Sequence, residues 1–180
     1  MFVARVHIQE SLAPLGGKMS LGTRGAREKW LRRAAEGVVT AQYWYARVLI
    51  EGRGVPANPV EARAWMTRAA DAGFLDAQVL LGAMLVNGDG GRPDHHKALA
   101  LFEKAAQQGH AGAMFALAAL YHGGHNVTAD RDLAERWFRE AARCGHPRAQ
   151  FFLGYYLPHE TSGQTIPAEA RQFEVDCTAA

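Results

Sequence analysis

Apolar residues in this chain recur at helical spacing. After Pro59, the residues Ala62, Trp65, Met66, Ala69 and Ala70 stand at i, i+3, i+4, i+7 and i+8, which places them on one stripe of an α-helix. Ala77, Leu80, Leu81, Met84 and Leu85 repeat the spacing a few residues later. The punctuation between the stripes agrees. Asn58 is a capping residue, Pro59 suits a first helical turn, and Glu61 stands at capping-box distance from Asn58. Gly73 follows the first stripe, where a left-handed residue ends a helix. The pattern predicts two antiparallel helices joined by a short turn.

The pair is then repeated. Asn58–Gly73 reads NPVEARAWMTRAADAG, Asp94–Gly109 reads DHHKALALFEKAAQQG and Asp130–Gly145 reads DRDLAERWFREAARCG, each copy thirty-six residues after the last. Between them run AQVLLGAML from Ala77, AMFALAALY from Ala113 and AQFFLGYYL from Ala149, preceded by AQYWYARVL from Ala41. Asp94 and Asp130 take the capping slot of Asn58, and Gly109 and Gly145 take the slot of Gly73. Gly82 lies inside a second helix, where glycine costs about 1 kcal/mol against alanine. Its counterparts are Ala46, Ala118 and Gly154, so a small residue at this slot predicts close helix–helix contact.

The ends are irregular, as terminal repeats are expected to be. A first copy over Gly22–Gly37 holds Trp30, Ala34 and Ala35 one residue out of frame and predicts a helix over 25–36. Helix pairs are expected to continue to residue 157. The frame then persists in Ala170 and Phe173, thirty-six residues after Ala134 and Trp137, which predicts a closing helix over 167–178. The reading is a repeat solenoid over 23–180 behind an N-terminal arm, 1–22, that is mobile or loosely docked.

The string Ala77, Leu81, Gly82, Leu85, Gly88, Gly90, Asp94, Lys97, Ala98, Phe102, Ala105, Ala106, Gly109 resembles the Sel1-like repeat, and the likeness runs from about Trp30 to Cys177. The resemblance implies an all-α fold, a right-handed α-solenoid of antiparallel helix pairs related to tetratricopeptide arrays. It implies an adaptor that binds a protein or peptide on its concave face, with no shared catalytic residue. First helices line that face. Their positions outside the stripe are Arg63, Thr67 and Arg68, then Leu99, Glu103 and Lys104, then Glu135, Arg139 and Glu140. These nine form the expected partner-binding groove. The alternative within the same fold is an inhibitor, immunity-type or secreted virulence-associated protein of a bacterial system.

Composition narrows the choice further. Of 180 residues 48% are hydrophobic but only 9% aromatic, and alanine, which lets helix axes approach, supplies much of the difference. A formal charge of +2 with mixed signs lacks the concentrated basic footprint of nucleic-acid binding. The absence of a long apolar run predicts no transmembrane span. Met1–Leu21 lacks the apolar core of a secretory signal. Two cysteines without a framework favour a reducing, cytoplasmic location.

No catalytic constellation, cofactor or metal site is expected. His122 and His125 have a ligand-like spacing, but a zinc site needs three or four donors and no third is set by sequence. His110 and His146 share a slot with Phe74, so that slot reads as packing or turn. Cys144, at the negative end of a helix, is poorly placed for a nucleophile. Cys177 takes the slot of Ala69, Ala105 and Ala141 and reads as a small buried residue. Gly52-Arg53-Gly54 and Gly88–Gly91 follow helices, not strands, so they are not dinucleotide loops. Trp30, Trp65 and Trp137 read as core. Trp44, Phe152 and Tyr155 lie on a partly open face of the second helices and form a possible apolar contact patch.

Overall fold

The computed structural model describes residues 24–52, 54–123 and 128–156. They form eight helices: α1 (Arg24–Ala35), α2 (Val39–Glu51), α3 (Pro59–Asp71), α4 (Leu75–Asn87), α5 (His95–Ala106), α6 (Ala111–Gly123), α7 (Arg131–Arg143) and α8 (Pro147–Tyr156). Among the described residues there is no strand. The expected arm over 1–22 and closing helix over 167–178 lie outside the described residues.

The helices divide into two compact units, α1–α4 and α5–α8. Within each unit, helices adjacent in sequence pack together. In the first unit, the stripe of α3 buries Ala62, Met66, Ala69 and Ala70. Trp65 of the same stripe is half-buried. α4 buries Ala77, Leu81, Met84 and Leu85 as its spacing predicts, and Val79 as well, whereas Leu80 remains half-buried. In the second unit, Ala98, Phe102, Ala105 and Ala106 of α5 are buried, as are Ala134, Trp137, Phe138 and Ala141 of α7. Gly82, Ala46 and Ala118 are all buried, as a close-contact slot requires.

The turn inside each pair has one design. Gly73 N–H donates to Ala70 O (3.0 Å) and Phe74 N–H to Ala69 O (3.1 Å). These two bonds satisfy carbonyls that the helix end leaves orphaned, and they require a left-handed residue between them. Gly73 supplies it at φ +88°. The same two bonds recur at Gly37 and Val38, Gly109 and His110, and Gly145 and His146. A side chain reinforces three of the four turns: Gln42, Gln78 and Gln150 each donate Nε2 to the carbonyl eight residues back, Ala34, Ala70 and Ala142, at 3.3, 3.2 and 3.1 Å. The fourth copy of that slot is Met114.

Successive pairs are joined by another repeated bond. The N–H of Asn58, Asp94 and Asp130 donates to Leu49 O, Leu85 O and Tyr121 O at 3.0, 2.9 and 3.1 Å. The same residues begin the next helices. Asn58 Oδ1 accepts Glu61 N–H at 3.2 Å, and Asp130 Oδ1 accepts Leu133 N–H at 2.9 Å. The capping box expected at Asn58 is modified: Glu61 Oε2 accepts from the Asn58 side chain at 3.1 Å, because the Asn58 N–H is taken by Leu49 O.

Candidate functional site

The site residues expected from sequence lie on the first helices, off each buried stripe: Arg68, Lys104 and Arg139 are exposed and the other six are half-buried. α3 carries Arg63, Thr67 and Arg68. Arg63 Nη1 donates to Arg92 O at 3.2 Å, which ties the loop after α4 to α3. Thr67 Oγ1 donates to Arg63 O at 2.8 Å, a bond inside its own helix. Arg68 is exposed, with its guanidinium 4.5 Å from the Trp65 ring centroid. The indole beneath it is itself held. Trp65 Nε1 donates to Glu61 Oε1 at 3.3 Å, Tyr45 OH donates to the same oxygen at 3.4 Å, and the Tyr45 and Trp65 rings meet edge to face at 5.7 Å. Arg68 therefore offers an exposed cation on an oriented aromatic face.

In the second unit, α5 carries Leu99 half-buried, Glu103 half-buried and Lys104 exposed. Tyr121 OH donates to Glu103 Oε1 at 3.4 Å. Burial and then the Glu103 carboxylate hold the Tyr121 phenol above its usual pKa. On α7, Arg139 pairs with Glu135, and Glu140 pairs with Arg143 at 2.5 Å. Of the nine groove residues, Arg68, Lys104 and Arg139 are thus the most open cations.

The apolar patch separates into parts. Trp44 is half-buried, edge-on to Tyr43 at 5.3 Å, with the Arg47 guanidinium 5.2 Å from its ring. Arg47 in turn pairs with Glu51 at 2.8 Å. Phe152 stacks on Phe138 at 4.2 Å and meets His122 edge-on at 5.8 Å. The Tyr155 side chain lies outside the described residues. The aromatic that stands out to solvent is the neighbour of Phe152: Phe151 is 70% exposed. Its slot gave little warning, since its counterparts Tyr43 and Val79 are each only 3% exposed.

Cys144 is disulfide-bonded. It therefore offers no free thiol as a nucleophile. Cys177 lies outside the described residues, as does His125. Among the described residues, no three of His, Cys, Asp and Glu are grouped to hold a metal ion. No helix there is long and apolar enough to cross a membrane.

The repeated turn, cap and stripe decide the lineage. The Sel1 repeat pattern matches residues 28–37, 39–74, 75–110, 111–146 and 147–159. The chain belongs to the Sel1 repeat family. Its fold is the all-α helical-repeat solenoid, as the resemblance implied. Sel1 repeats generally serve as non-catalytic protein–protein interaction scaffolds. Two solved structures are similar. A protective antigen present in uropathogenic Escherichia coli strains, with an SLR fold, is 30% identical over 71% of this chain, with a TM-score of 0.66. This chain covers only 29% of that protein. A Sel1 repeat protein from Oxalobacter formigenes is 33% identical over 71% of this chain and 96% of its own, with a TM-score of 0.60. Comparison with curated proteins finds no match.

Proposed function

We propose that this Sel1 repeat chain is a non-catalytic adaptor that holds a protein or peptide segment on the solvent side of its first helices. The observation that carries this reading is the division of labour within those helices. Ala62, Ala98 and Ala134 are no more than 1% exposed, while Arg68 and Lys104, one repeat apart in sequence, stand open. Constant burial beside variable, open charge is what a recognition surface on a fixed scaffold needs. Arg68 is the strongest anchor, since its aromatic support reduces the ordering cost of an interface contact. A partner with acidic groups fits these cations.

The test is affinity purification of the full chain, followed by a binding assay with each purified candidate. Arg68→Glu with Lys104→Glu is expected to abolish binding while leaving the circular dichroism spectrum unchanged. Arg63 is unsuitable for the purpose, because it also holds the Arg92 loop. Full retention of binding by the double variant defeats the assignment.

A second reading is a virulence-associated or immunity-type bacterial protein. It draws on the likeness to the protective antigen of uropathogenic strains and on the disulfide-bonded state of Cys144. Purified partners separate the two readings: a single toxin-like enzyme inhibited on binding favours the second.

A further inference from the structure

One repeat slot, occupied by Val38, Phe74, His110 and His146, stands immediately before or at the start of all four second helices. In α2 and α4, Val38 and Phe74 make no side-chain cap. In α6 and α8 the ring makes one. His110 Nδ1 accepts Ala113 N–H at 3.2 Å, and His146 Nδ1 accepts Ala149 N–H at 3.3 Å. Each of these N–H groups also reaches the carbonyl of its capping histidine, at 3.0 and 3.1 Å.

An imidazole nitrogen accepts a hydrogen bond only when it carries no proton. Both caps therefore require an Nδ1 that carries no proton. A proton added at Nδ1 replaces the acceptor with a donor that faces an N–H. It also sets a positive charge at the positive end of a helix. The rings have little freedom to turn away. The His146 ring stacks on Phe115 at 4.5 Å with 19° between planes, and Phe115 packs edge-on against Phe138 of α7. The Gly112 backbone lies against the His110 ring, so close that a Cβ there would be 3.0 Å from Cε1.

We propose that this slot makes the second unit more acid-labile than the first: protonation of the His146 cap loosens the start of α8. The charged and titratable groups facing His146 are Arg148 from its own helix and His110 from the start of α6, while Phe115 faces it with carbon alone. Burial first, then Arg148 and His110, lower the His146 pKa from 6.5. The unfolded chain takes up this proton more readily than the folded one. The contribution to stability is therefore complete above 6.5 and is lost as pH falls from there toward the lowered folded value.

The experiment is hydrogen exchange on the full chain at about pH 7.5 and about pH 5, corrected for intrinsic rates. Amides at the start of α8 lose protection relative to those of α2 and α4, about tenfold for each unit by which folding depresses the His146 pKa. In His110→Asn with His146→Asn, which keeps a cap that does not titrate, the difference between units disappears. The six other histidines of the chain remain in that variant, so their share is separated. If the double variant does not fold, His146→Asn alone removes the α8 part. Nitrogen NMR of the wild-type chain at neutral pH finds Nδ1 of His146 unprotonated. Equal acid loss in both units, a difference that survives in the asparagine variants, or an Nδ1–H tautomer at His146 overturns the proposal.

Discussion

Gly90→Ala tests how closely the loop after α4 is seated on α3. Gly90 has φ +73°, and a Cβ built there would lie 2.2 Å from Pro59 O and 2.7 Å from Pro59 C, with Arg63 Cβ at 3.1 Å. Two costs follow. The left-handed backbone costs an L-residue roughly 1–2 kcal/mol. The lower entropy of the unfolded alanine chain returns about 0.4–1 kcal/mol of that. The overlap is the larger cost. The obstacle is backbone in the first turn of α3, which cannot rotate aside, and overpacking of this kind costs about 1–3 kcal/mol. The loop is also tied to α3 by Arg63 donating to Arg92 O, so backing away strains that bond. The sum is about 1–5 kcal/mol, centred at about 3. Gly73→Ala is the internal control, because Gly73 has φ +88° but nothing within 4 Å of its Cβ. It should cost about 1 kcal/mol, the backbone part alone. Urea unfolding of the two variants, followed by far-ultraviolet circular dichroism, reads the difference. If Gly90→Ala costs no more than Gly73→Ala, the seating of this loop on Pro59 is refuted.

Gly82→Leu overpacks the buried slot shared with Ala46 and Ala118 and should cost roughly 1–3 kcal/mol in the same assay; an unchanged midpoint argues against close helix contact there. Gln78→Met should be nearly neutral, within about 1 kcal/mol. The Ala70 carbonyl keeps its bond from Gly73 N–H, and the variant removes a buried Gln78 Oε1 that has no hydrogen-bond partner. A loss above about 2 kcal/mol contradicts that accounting. Asp130→Ala removes the acceptor for Leu133 N–H and should cost about 1 kcal/mol, with α7 amides losing protection first in hydrogen exchange.

Much of the architecture was legible because its causes are local. A stripe, a cap and a left-handed glycine each act over less than two helical turns, so the order of residues in one repeat carries them, and repetition confirms the frame. The glutamines at 42, 78 and 150 follow the same period and would have been found by asking which polar residues, as well as which apolar ones, keep it. The capping role of His110 and His146 was half visible. Their shared slot with Phe74 suggested packing or turn: both rings cap, and that of His146 also stacks. The groove residues were less legible. Sequence places them off the stripe, but a side chain off the stripe can face solvent or bind its own chain. Arg63 and Thr67 spend polar groups inside the molecule, whereas Arg68 and Lys104 are exposed.

By itself, then, the sequence determined the helical period, the pairing of helices and the glycine that ends each first helix, because those depend on neighbours within one repeat. Tertiary structure alone decided the rest. It brought Arg63 to a carbonyl 29 positions away, set Gly90 on Pro59, and laid Phe115 on His146. It also opened Phe151 to solvent in a slot that is closed at Tyr43 and Val79. The physical reason is the same in each case. Burial and partnership belong to pairs of surfaces, and a one-dimensional pattern specifies only one surface of each pair.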